Sequence, residues 1–272
     1  MGYSSLQMLV GSECMRRCSG LTILRALFCM TICWMMMPTA SAGVGCDKTI
    51  FLTFDTGNMS VAQQVADILQ QEQIKATFFV ASEETSHNDF SLDASWKNFW
   101  ISRIKEGHAF GSHTLHHTYW KKDAGSNKVI VQSQFGPHAG KLQTIGQEQV
   151  CQNIQGADQR FKDLTGRSLD KIWRAPGGKT SPMYIAMAKA CGYKHIAWAK
   201  AGFLGDELSS SAYPNAVLLQ SALDNLKDGD ITMAHLGIWS RKDPWAPVVL
   251  QPLIQGLKAK GFCFETLANR VG

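Results

Sequence analysis

The chain has 272 residues, 45% of them hydrophobic, and a formal net charge of +5 at neutral pH. This length and apolar fraction suit one large α/β domain or two small ones with a proper core, and no internal repeat, low-complexity tract or linker interrupts the sequence. The modest charge gives no reason to propose nucleic acid or a membrane surface as a partner.

The first 42 residues are typical of a secretory signal peptide. Arg16 and Arg17 precede an apolar stretch at residues 26–37, which is followed by an A-x-A exit ending at Ala42. This order predicts cleavage after Ala42. An uncleaved anchor is the alternative, but the apolar run is short for spanning a bilayer. We therefore predict an exported protein, periplasmic or secreted, whose mature domain is residues 43–272 and which has no stable membrane insertion.

Strand-like and helix-like patterns alternate along the mature chain. The strand candidates are Thr49–Phe54, Ala76–Val80, His108–Ser112, Lys171–Arg174, His195–Trp198, Ile231–Ala234 and Phe262–Glu265. Apolar residues at helical spacing predict helices after a Ser60 cap, around 96–104, over 150–164 up to Gly166, from Ser181-Pro182 to before Gly192, and over 246–260. The alternation predicts a parallel sheet, either open or closed into a barrel. The stretch Tyr119–Gly146 has no clear periodicity, so we interpret it as a long loop inserted near the site.

Four cysteines lie beyond the predicted cleavage point: Cys46, Cys151, Cys191 and Cys263. An exported protein could join them as disulfides, and buried thiols are the alternative that the sequence leaves open. No C-x-x-C pair is present among them, so we do not expect a metal bound by cysteine.

An apolar run stops abruptly at a carboxylate and a glycine in the sequence FLTFDTG at 51–57. The last polar side chain of a parallel strand lies at the rim of the sheet, where ligands bind. We predict that Asp55 is the centre of a hydrolytic site. The side chains expected to join it from later strand ends are His113, His117, Arg174 and His235.

The sequence HTLHH at 113–117 directly follows a predicted strand. His113 and His117 are four residues apart, so one helical turn would place both imidazoles on one face, spaced for one metal ion. Neutral imidazole favours Zn, Fe, Co or Ni over Mg or Ca. A polar surface turn is the alternative.

Two further strand ends carry polar groups. Arg174 opens the sequence RAPGG, in which an arginine can hold a carboxylate and the turn at Gly177 lets the backbone approach a ligand. His235 ends an apolar strand and is a reasonable general acid near neutral pH. A structural ion pair and a core histidine are the respective alternatives.

The segment Leu236–Trp245 follows His235 directly and is predicted to be a substrate-facing lid that contains Trp239. The aromatic side chains that could stack on sugar faces are Tyr119, Trp120, Trp198, Trp239 and Trp245.

The order TFDTG, HTLHH, RAPGG and MAH resembles the polysaccharide deacetylases, which are carbohydrate esterase family 4 or NodB-homology domains, over about residues 48–266. The resemblance implies an α/β fold of the distorted (β/α)7 barrel type. It also implies a metal-dependent hydrolase that removes N-acetyl groups from an amino-sugar polysaccharide such as peptidoglycan, a chitin-like polymer or an exopolysaccharide. A divalent metal, most simply zinc, and an N-acetylated glycan are the implied cofactor and partner.

In that family the first motif reads TFDDG, whose first aspartate is the catalytic base and whose second binds the metal beside two histidines. By position, Asp55 is the base and His113 and His117 are ligands, but the second aspartate position is Thr56 here. Three explanations stay open. Asp55 could itself bind the metal, a carboxylate from elsewhere such as Asp206 could fill the place, or the site could bind metal weakly or not at all.

The resemblance gives each residue a role. Arg174 would hold Asp55 ionised while Asp55 takes a proton from water, and a backbone N–H near Gly177 would stabilise the oxyanion. His235 would protonate the leaving amine. Asp206 could instead orient the arginine or be an exposed loop carboxylate. The alternative functions are a non-catalytic glycan-binding protein that has lost its metal, and an amidase or deformylase of a small or lipid-linked amide. The sequence gives no indication of oligomeric state.

Overall fold

The computed structural model describes Cys46 and residues 48–270, with backbone only for 269 and 270. The predicted signal peptide and its cleavage site lie outside the described residues, so export stays a prediction. Within the described part, no helix is both long enough and apolar enough to cross a membrane.

Eleven strands are described in chain order. They are β1 (Lys48–Ile50), β2 (Thr53–Asp55), β3 (Thr77–Val80), β4 (Ala109–Ser112), β5 (Thr118–Asp123), β6 (Val129–Ser133), β7 (Leu142–Ile145), β8 (Ile172–Trp173), β9 (Lys194–His195), β10 (Ala234–His235) and β11 (Phe262–Phe264). Six α-helices accompany them: α1 (Ala62–Gln71), α2 (Lys97–Lys105), α3 (Gln147–Thr165), α4 (Pro182–Ala190), α5 (Asn215–Asn225) and α6 (Leu250–Ala259).

The central sheet is parallel and has the order β10-β2-β3-β4-β8-β9, and β1 pairs separately with β11. The predicted α/β fold with a parallel sheet is therefore confirmed. Because all six strands run the same way, their carboxyl ends meet at one rim of the sheet. In the register, Asp55 of β2 lies directly beside His235 of β10, which sets two predicted site residues side by side.

The strands of the described residues do not close into a regular barrel, but an irregular segment joins the two edges of the sheet. Residues 199–204 follow β9 and bond to the chain just before β10: Ala199 N–H donates to the Ile231 carbonyl, and Met233 N–H donates to the Gly202 carbonyl. Gly202 is required here by space, since a Cβ would lie 2.1 Å from the Ile231 oxygen. We refer to this contact between 199–204 and 231–233 as the seam.

The core lies under the sheet, where aromatic side chains on neighbouring strands pack against the helices. Phe78 of β3 stacks between Phe54 and Phe110, with ring centroids 5.9 and 5.8 Å away, and Trp100 of α2 and Phe161 of α3 close the cluster from the helix side. These side chains are essentially inaccessible to solvent. Burial of large apolar rings is the main stabilising contribution of such a core and fixes the helices under the strands.

Several local predictions differ from the structure. The interpretation of 119–146 as a loop is wrong, because it contains the antiparallel sheet β5-β6-β7. Only β6 alternates buried and half-buried residues, while β5 and β7 consist mostly of exposed or half-buried residues. The alternation typical of a strand was therefore too short to be detected in the sequence. Ser60 does not cap α1, which begins at Ala62 without a side-chain cap. Ser181 does cap α4, accepting a hydrogen bond from Tyr184 N–H. Helix α5 was not predicted.

The cysteines are paired as Cys46–Cys263 and Cys151–Cys191. This resolves the alternative between disulfides and buried thiols. The first bridge joins the chain before β1 to β11, and the second joins α3 to the residue that follows α4. Each closes a loop of chain and so restricts the unfolded state.

Candidate active site

Asp55 ends β2 at the rim and is held by a buried arginine. Its Oδ1 accepts a hydrogen bond from Arg174 Nη1 at 2.9 Å, and the same nitrogen donates to Thr53 Oγ1 at 2.8 Å. The guanidinium lies 4.1 Å from the centre of the Phe79 ring and 5.5 Å from that of Trp198, so aromatic rings pack against it as well. The contact required by the predicted role of Arg174 is therefore present.

The ionisation of Asp55 is set by opposing effects. Burial alone raises the pKa of Asp55, but the positive charge of Arg174, followed by His113 and His235, outweighs it, so the pKa lies below its ordinary value. The carboxylate is consequently ionised at neutral pH. It is then available to accept a proton.

His113 and His117 lie together, but not on a helical turn as predicted. Thr114 and His117 both have left-handed backbone, with φ of 61° and 47°, and Leu115 N–H donates to the Asn153 carbonyl of α3. The chain therefore makes an irregular turn fastened to α3. The two imidazoles nevertheless meet, with ring centroids 4.9 Å apart.

The orientation of His113 is fixed by the backbone. Its Nδ1 lies 2.9 Å from the Arg174 carbonyl, and since a carbonyl only accepts, Nδ1 carries the hydrogen. Burial lowers the pKa of His113 to about 4, so the ring is neutral and Nε2 has a free lone pair. That nitrogen lies 3.5 Å from Asp55 Oδ2.

A further carboxylate, Glu83, lies at the rim and was missed by the sequence reasoning. It comes three residues after the end of β3, and its Oε1 accepts hydrogen bonds from the Thr56 hydroxyl and from Gly57 N–H, the latter at 3.0 Å. Burial raises the pKa of Glu83, but His117 and His113, with the Thr56 hydroxyl, outweigh burial and lower it. One feature of the sequence could have predicted Glu83: it is a carboxylate that closely follows a buried strand, and that strand lies beside the one that carries Asp55.

His235 is paired with an aspartate that the sequence assigned to other roles. Asp206 Oδ2 accepts from His235 N–H at 2.7 Å and lies 3.1 Å from His235 Nδ1. Burial lowers the pKa of His235, but Asp206 more than compensates and raises it to about 10. The imidazolium is thus protonated across the neutral range.

The suggested roles of Asp206 are corrected by these contacts. It does not contact Arg174, since it pairs with His235 instead, and it is only 3% exposed, so it is not a loop carboxylate in solvent. Its backbone follows the seam, which holds it beside β10 rather than beside the two histidines. The loop conformation that decides this could not be read from the sequence.

One cleft unites these groups. Among its lining residues are Asp55, Glu83, His113, His117 and His235, together with Tyr119, Gly177, Trp198, Glu207 and Trp239. Gly177 has φ of 63°, and a Cβ there would lie 3.1 Å from the Tyr119 ring, so the backbone approaches the cleft closely.

The aromatic predictions divide into two groups. Tyr119, Trp198 and Trp239 line the cleft, and Trp239 is 62% exposed at its mouth. Trp245 is buried, and Trp120 packs against a core cluster, so neither is placed to contact a sugar there.

The donor atoms of the cleft suit a divalent metal, although their spacing in this structure is not that of a complete ligand set. Among the residues that the structure describes, no three Asp, Glu, His or Cys side chains have metal-ligand spacing. The cleft does present neutral imidazole and carboxylate, the donor types that zinc takes. His117 Nδ1 is buried without a hydrogen-bond partner in the described part of the chain. His113 and His117 are therefore able to hold the ion that the resemblance implies.

Comparison with known proteins gives the family to which this fold and this set of groups belong. A family model described as polysaccharide deacetylase matches residues 42–196. The chain belongs to the polysaccharide deacetylase family, as the resemblance indicated. It is thus a hydrolase of the class that acts on carbon–nitrogen bonds other than peptide bonds.

Individual relatives agree with this assignment. Over 225 residues the chain is 27% identical to a putative polysaccharide deacetylase, YheN, of Bacillus subtilis, covering 82% of this chain and 68% of that one. It is 25% identical to a peptidoglycan-N-acetylglucosamine deacetylase of Bacillus cereus, covering 82% and 88%. A solved family 4 acetyl xylan esterase from Clostridium thermocellum, in complex with a cobalt ion, has a TM-score of 0.61 at 19% identity, with coverages of 82% and 89%. That last likeness shows a shared fold.

Proposed function

We propose that this protein is a metal-dependent deacetylase that removes N-acetyl groups from an amino-sugar polysaccharide. The observation that carries the proposal is the pairing of Asp55 with His235 in adjacent strands. Arg174 lowers the pKa of the first, and Asp206 raises the pKa of the second to about 10. Two neighbouring groups with pKa values pushed apart are what a base and an acid in one reaction require.

The roles follow from the atoms that remain free. His113 and His117 would hold the metal, which when bound supplies Lewis acidity and makes water a better nucleophile. Asp55 Oδ1 is engaged by Arg174, so Oδ2 accepts the proton of the attacking water. His235 Nδ1 is engaged by Asp206, so Nε2 donates the proton to the departing amine. A backbone N–H at Gly177 is the proposed donor to the developing oxyanion.

The substrate is proposed to be an N-acetylated glycan of the peptidoglycan or chitin type. The cleft offers Tyr119, Trp198 and Trp239 as apolar faces on which sugar rings stack. The name of the Bacillus cereus relative points to N-acetylglucosamine in peptidoglycan as one such substrate. Export to the periplasm or the medium is part of the proposal, and the two disulfides support it because they persist in oxidising compartments.

A non-catalytic glycan-binding protein is the second candidate, and Thr56 is the observation that favours it. A hydroxyl is a poor metal ligand, so loss of the family aspartate could have ended metal binding. This candidate predicts glycan binding without bound metal and without acetate release.

The deciding experiment measures acetate release from chitin oligomers and peptidoglycan fragments by the zinc-loaded protein. Wild type is compared with Asp55→Asn, which removes the base while keeping the size of the side chain. We expect acetate from wild type and about a 100- to 10,000-fold slower release from the variant, because general base catalysis is worth 10²–10⁴-fold. Equal release by both proteins, or none by wild type on any of these glycans, contradicts the proposal.

A further inference from the structure

The position where the family has its ligating aspartate is occupied by a threonine whose hydroxyl is already engaged. Thr56 is 1% exposed, its hydroxyl donates to Glu83 Oε1, and it accepts a hydrogen bond from Ala81 N–H at 3.2 Å. A hydroxyl has one hydrogen to donate, and here that hydrogen goes to a carboxylate. Thr56 therefore links β2 to the chain that leaves β3.

The carboxylate that it links is firmly positioned. Glu83 N–H donates to Ser91 Oγ at 3.0 Å, Ser91 N–H donates back to the Glu83 carbonyl at 2.9 Å, and Oε1 is fixed by Thr56 and Gly57. The other oxygen, Oε2, has no hydrogen bond to any described residue. Since the side chain lines the cleft with His113 and His117, Oε2 is the atom left for a ligand there.

Charge balance distinguishes Glu83 from the other buried acids of the site. Asp55 is paired with Arg174 and Asp206 with His235. Glu83 is 6% exposed and forms no ion pair with any residue that the structure describes. Buried charges in proteins are generally paired or coordinate a metal, so a buried carboxylate without an ion pair is a candidate metal ligand.

Both histidines line the cleft, and each has a ring nitrogen without a hydrogen bond to a described residue. His117 Nδ1 is buried without a partner in the described residues, and the Nε2 lone pair of His113 faces Asp55 Oδ2 at 3.5 Å. Nitrogen donors and an unpaired carboxylate thus border one part of the cleft.

We propose that Glu83 is the third protein ligand of the divalent metal, through Oε2, beside His113 and His117. Thr56 and Gly57 orient it by holding Oε1. The inference rests on the proposed function, and it requires the three side chains to draw together on the ion. It assigns the role of the family's missing aspartate to a residue that follows the neighbouring strand β3, and it leaves Asp55 free to act as the base.

The test measures zinc affinity directly, by competition with a chromophoric chelator, in wild type and Glu83→Gln. The glutamine keeps an oxygen that can accept from Thr56 and Gly57, but replaces the ligating oxygen with an amide nitrogen. Glu84→Gln is the matched control, since Glu84 is the adjacent residue and is exposed. We expect at least a ~100-fold loss of affinity in Glu83→Gln and none in the control, because even loss of an orienting partner costs 10–100-fold.

Two more variants test the arrangement. Thr56→Val removes the orienting hydroxyl and should weaken zinc about 10–100-fold. Thr56→Asp combined with Glu83→Gln returns a carboxylate to the family position and should recover most of the lost affinity. The absorption spectrum of the cobalt(II) protein should change in Glu83→Gln and stay unchanged in Glu84→Gln. This spectrum reports the ligand set independently of activity.

The outcomes separate this inference from the proposed function. Glu83→Gln with wild-type zinc affinity and an unchanged cobalt spectrum overturns the ligand assignment, even if acetate is released. Loss of zinc in Glu83→Gln, with a wild type that binds zinc but releases no acetate, supports the ligand and overturns the function. A wild type that binds no zinc overturns both. Circular dichroism identifies a Glu83→Gln protein that has not folded. In that case a folded Thr56→Val protein with wild-type zinc affinity overturns the ligand assignment, because its only loss is the hydroxyl that orients Glu83.

Discussion

Replacing Asp206 with asparagine tests the cause of the raised pKa of His235. The amide oxygen of the new side chain can still accept from His235 N–H, so the position of β10 is retained while the negative charge is lost. In wild type this carboxylate raises the pKa of His235 from an ordinary 6.5 to about 10 against the effect of burial. In Asp206→Asn we expect the pKa of His235 to fall back toward its ordinary value.

The size of the effect follows from those two values. Each tenfold change in a dissociation constant is worth about 1.4 kcal/mol, so raising the pKa from 6.5 to about 10 stabilises the folded, protonated state by about 5 kcal/mol. Because the pKa is raised on folding, this stability is fully present below pH 6.5 and is lost as the pH rises toward 10. The Asp206→Asn variant lacks this stabilisation over the whole pH range.

The assay is an NMR titration of His235 in metal-free protein, together with the pH dependence of acetate release. If the pKa returns to about 6.5, the protonated fraction at pH 8 falls roughly 30-fold, and the rate should fall with it. The control is Glu207→Gln, which removes an equal charge from the adjacent, exposed residue. A His235 pKa that stays near 10 in Asp206→Asn, or that shifts equally in Glu207→Gln, refutes the reasoning.

Three further outcomes are expected. Arg174→Met leaves Asp55 buried without its partner, so the pKa of Asp55 should rise and the acid limb of the pH–rate profile should move to higher pH. Urea titration should show a free energy of unfolding that is lower by about 3–5 kcal/mol. An unchanged acid limb would contradict the contact between Arg174 and Asp55. Replacing Cys151 and Cys191 by serine should cost about 2–4 kcal/mol in the same titration without changing kcat, since neither cysteine lines the cleft. Trp239→Ala should raise KM for glycan oligomers roughly fivefold, or about 1 kcal/mol, with little change in kcat, and a lowered kcat at constant KM would argue against a binding role.

The parts of the site that the sequence predicted are those at the ends of buried strands. Asp55, Arg174 and His235 each follow an apolar run, and parallel strands bring such ends to one rim whatever the loops do. The proximity of His113 and His117 was also predicted, but for the wrong local structure, because a spacing of four residues suits both a helical turn and a turn with left-handed residues.

What the sequence did not reveal depends on contacts between separate elements. Glu83 lies in the polar run ASEE, which resembles an exposed loop until β3 is placed beside β2 and Thr56 is seen to hold it. The partner of Asp206 depends on the path of 199–204, which contains no regular strand. In both cases the missing information was spatial, and composition could not supply it.

The seam determines which part of the molecule should open first on heating. Asp206 stands two residues beyond Leu204, whose N–H donates to the Met233 carbonyl, so the position of the partner of His235 depends on this irregular junction between the sheet edges. Irregular junctions with few backbone hydrogen bonds open at lower free energy than the core they adjoin. Warming should therefore separate Asp206 from His235, and so remove the proton donor, while the aromatic core is still folded. A methyl group added at Gly202 would collide with the Ile231 oxygen, so this loss should then occur at a lower temperature.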